Sequence, residues 1–503
     1  MNRVVGIETE FGCLVRDESI GHPEDVVAAI KDHAFNVKRL GLIDLHARSY
    51  AFEPAFCGGF LCNGGRLYVD AVGDHLEYAT PECTSLRDLV AHERAGHRLI
   101  VALLEDMGLR EAVSIYNNSI DHFGGHTFGC HENYSVRLSS INMRATLPAL
   151  ISFLVTRQIF AGAGRVGGHR LNHNSLKNSI MEWSFHETDT LWISNIYGVE
   201  IDNSVDFQLS QRADHIIHAV SGQVRFNRAI INPKRESAYE NQDFWRLHVL
   251  FGEANPSQVA TALKVGTTSL VLDLAECGLL PPRLWIVNPV HTLKSISRDP
   301  ERRWLVETLD GKTMGAIDFQ RQYLAAAKEH LSGRDEETDW VLAEWERVLD
   351  ALERDPEQAR DCVDWVAKRR LIELYCQAEG VGWHDDACYS LDLEYHNLDP
   401  KQSLHAALLE QGEMRALVNE EEIAAAMDEP PADTRARGRG YAIRELLERG
   451  CAQYVIDWDA IFVRGGLHLP LPDPTDPAVQ QVKRFFEIYD EASQPMEDED
   501  LMI

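Results

Sequence analysis

The chain has 503 residues, of which 45% are hydrophobic, so it can bury a substantial core arranged as one large domain plus a smaller one. With 49 basic against 79 acidic residues the formal charge is −30, which argues against general nucleic-acid binding because phosphates would be repelled. Ten cysteines scattered without a CxxC pair argue against a disulfide framework or zinc ribbon and fit reduced thiols in a cytoplasm. No apolar signal core follows the initial MNR, and no apolar run is long enough to span a bilayer.

The first predicted element is a strand in VVGIETEFG, Val4 to Gly12. Side chains alternate along a strand, which puts Glu8 and Glu10 on one face and Val5, Ile7, Thr9 and Phe11 on the other. Pro23 to Leu40 reads as an amphipathic helix, and the following stretch through SYAFEPAFCGGF as irregular. Asn63-Gly64-Gly65 makes a tight turn before a second polar-faced strand, RLYVD, in which Arg66, Tyr68 and Asp70 share one side. Laid beside the first strand, with Glu77 close behind, these residues would crowd several carboxylates into one cleft. Hard divalent cations with oxygen ligands are the usual means of neutralising such a cluster, which points to magnesium with a nucleotide. A half-solvated antiparallel strand also alternates in this way, and that plainer reading stays open beside the metal site.

Thr84 or Ser85 can cap a helix running to Gly108. It contains HERAGH, whose His92 and His97 are five apart and do not share a helix face as zinc-protease histidines do. Strands over Ser114 to Asn118 and Cys130 to Arg137 flank the glycine-rich loop Gly124 to Gly129. The second carries His131, Glu132 and Asn133, read either as a structural pair or as a further metal or phosphate contact. Leu147 to Ala161 is expected to be a buried helix framed by Pro148 and Gly162. Gly162, Gly164 and Gly167 match GxGxxG, but a helix precedes and polar residues follow, so the dinucleotide context is missing. Arg212, Arg228, Lys234, Arg235 and Arg246 are candidate phosphate partners that spacing cannot separate. From Ala316 onward the pattern is helical, as in Phe319 to Leu331, Trp340 to Glu353 and Cys362 to Gln377. Pro430-Pro431 is the clearest break, followed by the basic run TRARGRG and an acidic tail.

The strand-rich start followed by helices indicates an α+β fold. GIETEFG, NGGRLYVD, EYATPEC and NNSIDHFGGHTFGCHENY, continued by FQLSQRADHI, WRLHV, SISRDP, PPADTRAR and IDWDAIF, resemble the family of ligases and depupylases of Pup, the prokaryotic ubiquitin-like protein (PafA and Dop). The resemblance covers nearly the whole chain. It implies a glutamine-synthetase-like large domain with a curved antiparallel sheet cradle over residues 1–430, a small C-terminal domain over 431–485, and a disordered acidic tail over 486–503. It implies ATP and Mg2+ as cofactors. Glu8, Tyr68 and Glu77 match magnesium-contacting positions, with Glu10 a weaker candidate. Arg66, Thr80 and Trp458 match ATP-contacting positions, and Asp70 matches the catalytic aspartate. The link between Asp70 and Glu77 is one residue longer than the family's usual spacing.

In the ligases, ATP phosphorylates the side-chain carboxylate of Pup's C-terminal glutamate and a target lysine forms an isopeptide bond. In the depupylases the same cradle cleaves that bond or deamidates a C-terminal glutamine. The implied partners are Pup and its conjugates, with a functional link to a bacterial proteasome, and a basic groove for this acidic modifier is expected at Arg435, Arg437 and Arg439. VLDL, PVHTLKSISRDP, ALERDP, GRVGG and FQLSQR are closer to the depupylases, whereas EYATPEC, GCHENY, VTRQ and TRARGRG are closer to the ligases. The balance favours depupylase or deamidase over ligase. A small-molecule carboxylate-amine ligase and a non-catalytic adaptor are the readings from other classes.

Overall fold

Strand β1 (Val5–Val15) runs through the middle of the main sheet, and its alternation decides which way everything else faces. Ile7 and Phe11 are buried against the core while Glu8 and Glu10 turn to the opposite side, as a period of two requires. The computed structural model describes residues 3–44, 57–70, 75–137, 143–171, 199–221, 228–232, 244–281, 284–463 and 466–493.

Among the described residues the main sheet has ten strands. On one flank of β1 lie β5 (Leu76–Ala79), β4 (Arg66–Val69), β3 (Gly58–Leu61) and β2 (Gly41–Ile43), in that spatial order. On the other flank lie β7 (Cys130–Arg137), β12 (Phe244–Val249), β11 (Ala229–Asn232) and β10 (His218–Val220), and β6 (Val113–Tyr116) pairs with the far end of β1. All neighbours are antiparallel except β10 and β11. Smaller sheets are formed by β8 (Arg165–Leu171) with β9 (Val199–Gln208) and by β13 (Leu305–Glu307) with β14 (Thr313–Gly315). A three-stranded sheet comprises β15 (Tyr454–Ile456), β16 (Ala460–Val463) and β17 (Leu467–Pro470).

One face of the main sheet is closed by helices. Leu86–Asp106 begins where Ser85 Oγ accepts the Asp88 N–H at 3.0 Å, and Gly108 ends it with φ +70°, as the sequence indicates. Its Gly96 lies against the ring of Tyr78 on β5, where a Cβ would come within 2.3 Å of the ring. The helix Gln258–Glu276 is buried along nearly all its length, and its polar side chains find partners inside, as Lys264 Nζ does at the Glu253 carbonyl at 2.6 Å. His92 and His97 are both buried in the first of these helices, and burial holds His92 down to about 3, a neutral core histidine.

The apolar run at Leu147 to Ala161 forms two helices, Met143–Thr156 and Gln158–Ala161, with Pro148 accommodated inside the first. The interruption falls at Arg157, whose guanidinium pairs with Glu132 and reaches Thr268 Oγ1 at 2.5 Å. Glu132 points to the core face of β7, so this buried pair satisfies both charges at once. The last of the GxGxxG glycines, Gly167, lies inside β8 where a helix would be needed, and the Gly164 carbonyl accepts from Lys368 Nζ at 2.8 Å. The match is structural.

The C-terminal segment contributes the helix Arg435–Glu448, the three-stranded sheet and the helix Val479–Ser493. These share one apolar cluster with Leu42 of β2 and Phe60 of β3. The last helix extends into the stretch expected to be disordered from residue 486, because Phe485, Phe486 and Tyr489 supply it with an apolar stripe against that cluster. Residues 494–503 lie outside the described residues. No described helix is long and apolar enough to cross a membrane.

Candidate active site

The face of the main sheet opposite the helices is polar because register keeps like positions in line. Glu10 is directly opposite Glu77, and Glu77 in turn is opposite Tyr68. One row further, Arg66 is opposite Ala79, Ala79 opposite Glu8, and Glu8 opposite His131. The same pairing brings Asn133 of β7 against His248 of β12.

Two clusters of ligand atoms result. Glu8, His131 and His248 place their donor atoms within 4.8 Å of one another, and so do Glu10, Asp70 and His75. Glu8 faces His131 Nδ1 and His248 Nε2 at 3.5 Å each, and its other oxygen receives Asn133 Nδ2 at 3.2 Å and Arg246 at 3.3 Å. Burial works to raise the Glu8 carboxyl, but the two histidines and Arg246 overcome it and hold the acid well below its ordinary range. Burial, with the charges of Arg246 and His131, keeps His248 neutral, down at about 3. Glu10 Oε2 is 2.8 Å from His75 Nδ1, and against the upward pull of burial this contact and the nearby His131 bring Glu10 down to about 2.

Glu77 goes the other way. Burial and the charges of Glu10, Asp70 and Glu8 raise it well above the carboxylate range. Burial together with Glu77 and Glu8 likewise keeps the Tyr68 phenol protonated, with Arg66 stacked over its ring at 4.2 Å. An acid pushed up by three neighbouring acids marks a basin short of positive charge. Glu8, Glu10 and Glu77 offer the carboxylate oxygens that a hard divalent cation takes, and the donor atoms already drawn together are those of the two clusters, Glu8 with His131 and His248 and Glu10 with Asp70 and His75. Glu8, Glu10, Tyr68, Glu77 and Asp70 therefore all belong to one basin.

Trp458 and Arg66 flank Phe60 at one end of this basin. The Trp458 ring meets Phe60 edge-on at 5.0 Å, and the Arg66 guanidinium lies 6.0 Å from the Phe60 ring. Thr80 sits just past β5, where its Oγ1 accepts the Ile7 N–H at 3.1 Å, so its hydroxyl oxygen ties the end of β5 to β1.

Arg435 and Arg439 are corrected by the structure. They are 2% and 0% exposed, and both pair with the buried Glu82, so they cannot form a surface groove. Arg439 also lies over the rings of Trp458 and Phe60 at 4.8 and 5.3 Å. Arg437 alone of the three is substantially exposed, 3.9 Å from Glu429.

Sequence reasoning missed His75 and His248 and left Arg212 and Arg246 unsorted. Arg246 belongs to the basin, donating to Asn133 Oδ1 at 2.7 Å. Arg212 is buried, donates to the Leu250 carbonyl at 2.9 Å and adds positive charge beside Glu10, whereas Arg228 turns to His215. Lys234 and Arg235 lie outside the described residues.

Comparison with known proteins is consistent along the whole chain. The family described as Pup-ligase protein matches residues 3–462. The chain is 34% identical over 493 residues to a depupylase of Acidothermus cellulolyticus, covering 92% of this chain and 91% of that one. It is 33% identical over 483 residues to a Pup-protein ligase of Gordonia bronchialis, covering 94% of each. Among solved structures it resembles the Pup ligase PafA in complex with Pup, with TM-score 0.76, 28% identity and coverage of 99% and 96%. It also resembles PafA in complex with ADP, with TM-score 0.74, 30% identity and coverage of 87% and 91%. With its carboxylate basin on an antiparallel sheet and this similarity from end to end, the chain belongs to the Pup-ligase protein family, whose similar members include both a depupylase and Pup-protein ligases.

Proposed function

We propose that this protein is a cytoplasmic depupylase or Pup deamidase that works with ATP and Mg2+. It would hydrolyse either the isopeptide bond between Pup and a lysine or the side-chain amide of a C-terminal glutamine. The observation that carries a nucleotide-dependent reaction, in either direction, is the convergence of Glu8, Glu10, Glu77 and Asp70 in one buried basin bordered by Arg66.

Glu8, Tyr68 and Glu77, with Glu10 beside them, would hold the magnesium, which when bound supplies the positive charge that offsets nucleotide phosphates. Arg66 would add fixed charge at the phosphates, and Trp458 would offer its ring to the adenine at the Phe60 end. Asp70 lies at the end of β4, where its carboxylate can take a proton from the attacking group. In hydrolysis that group is a water, and the carbonyl is the γ-carbonyl of the modifier's last residue. His75 Nδ1 meets Glu10 Oε2 at 2.8 Å inside the cluster that both form with Asp70.

The hydrolytic direction is supported by the blocks FQLSQR, GRVGG and SISRDP. The ligase reading is favoured by a different observation, the similarity along 99% of the chain to PafA in complex with Pup. Both reactions need the same basin and differ in whether water or a lysine amine attacks.

The test is incubation of the purified chain and ATP with glutamine-ended Pup, glutamate-ended Pup and a Pup conjugate, followed by mass spectrometry. Conversion of the glutamine end to glutamate, or release of Pup from the conjugate, is expected. New conjugates with steady ADP production would reassign the protein as a ligase. Turnover of free glutamate without Pup would make it a small-molecule ligase, and Pup binding without any turnover would make it an adaptor.

A further inference from the structure

Away from the basin, the helices Asp364–Glu379 and Asp386–Glu394 bring two cysteines together. Cys376 Sγ and Cys388 Sγ are 3.4 Å apart and twelve positions apart in sequence. Such contact leaves little movement before a bond can form, whereas most cysteine pairs in a fold would need the backbone to shift. The first helix ends at Gly380, with φ +69°, and the turn that follows brings the second helix back alongside it. Cys376 is partly exposed and Cys388 is fully buried, so a soluble reagent meets one sulfur first and the other waits behind it.

We propose that Cys376 and Cys388 form a modification site, a dithiol that a low-molecular-weight disulfide oxidises to an intramolecular bridge between the two helices. Cys376 loses its proton and attacks one sulfur of the reagent RSSR. The reagent's S–S bond breaks, a mixed disulfide forms on Cys376, and RS− leaves to take up a proton. Cys388 then loses its proton, attacks Cys376 Sγ and expels the second RS− as RSH. The protein gives up two electrons and two protons, and the reagent leaves as two thiols.

The order of steps follows from the surroundings. Burial first, then the hydrogen bond and charge of Cys376, push the Cys388 thiol up to about 12, so the opening attack belongs to Cys376. Once Cys376 carries the mixed disulfide, its own contribution to that upward push is gone.

The bridge lies next to groups that reach toward the basin. Tyr389, one residue after Cys388, packs against His122 and Phe123 at 5.2 and 5.5 Å, and Asp392 on the same helix faces His122 Nε2 at 3.2 Å. His122 and Phe123 begin the loop that ends at Gly129, which abuts Glu10 and His131. Joining the two helices fixes the support of that loop.

The experiment exposes the folded full-length protein to oxidised glutathione, blocks remaining thiols with iodoacetamide, and analyses tryptic peptides without reduction. Both cysteines fall in one tryptic peptide, residues 371–401. The expected product is that peptide two hydrogens lighter and free of alkylation, restored to a doubly alkylated form by prior reduction. The variant C388S should stop at a glutathione adduct on Cys376. Alkylation of both cysteines in protein whose exposed Cys277 is already modified, or accumulation of the adduct on Cys376 in the unsubstituted chain, would overturn the proposal. The unsubstituted chain alone decides the matter even where the variant folds poorly.

Discussion

Glu10 and Glu77 stand directly opposite each other across β1 and β5, two acids paired where a sheet ordinarily places compatible side chains. Their surroundings divide them. His75 keeps Glu10 an anion, and burial with the nearby charges pushes Glu77 toward the neutral acid.

Replacing Glu77 with Gln should therefore stabilise the nucleotide-free protein by about 1 kcal/mol at neutral pH. Because the folded state raises this acid above its unfolded value, the unfavourable contribution exists at high pH and fades on acidification. The gain in melting temperature should shrink as pH falls toward the ordinary glutamate range. The same change should weaken magnesium-dependent nucleotide binding at least about tenfold, read by calorimetry with and without the cation.

Asp70→Asn separates chemistry from binding. Turnover of the modifier should fall about 100- to 10,000-fold while nucleotide affinity changes little, because the basin's other carboxylates are intact. Equal losses in both measurements would move Asp70 into the metal-holding set.

Glu82 predicts a specific acid sensitivity. Burial alone would raise it, but Arg439 and Arg435 hold it to about 2. An acid depressed in this way contributes stability that is complete above the unfolded value and lost as pH falls toward 2. That contribution is about 3 kcal/mol. Thermal melts of the protein and of E82Q should diverge most at neutral pH and converge in acid. Arg439→Met should cost about 3–5 kcal/mol, since it leaves a buried carboxylate short of a partner. It should also alter tryptophan fluorescence through Trp458.

Gly96→Ala tests packing against propensity. Alanine is the better helix former by about 1 kcal/mol. Its methyl would nevertheless enter the ring of Tyr78, the side chain by which β5 packs on this helix. The substitution should destabilise by about 1–3 kcal/mol in denaturant melts, and a gain in stability would show that Tyr78 can move aside.

Much of the basin was legible because strands carry a period of two. Glu8 and Glu10, set against Ile7 and Phe11, announced a polar face before any partner was known, and Arg66 with Tyr68 did the same. His75, His131, His248 and Arg246 were harder to place because they meet Glu8 and Glu10 only through long-range pairing, with β12 joining β7 across more than a hundred positions. Nothing local marks a histidine as facing a particular acid. The basic run at Arg435 to Arg439 misled for the same reason. Its counter-charge, Glu82, lies more than 350 positions earlier, so charge density in the sequence looked like surface when it was a buried ion-pair cluster. Helix ends fared better, since Ser85 and Gly108 act through their own neighbours.

Leu42 and Phe60 belong to the earliest part of the chain, yet the apolar cluster that covers them is completed by the helix Val479–Ser493. During synthesis on the ribosome the sheet's outer edge must therefore stay sticky until that helix emerges. A premature stop near Pro430 would release a product whose β2 and β3 are open to association with other chains, and quality control would meet an aggregating fragment where one might have expected a shortened enzyme.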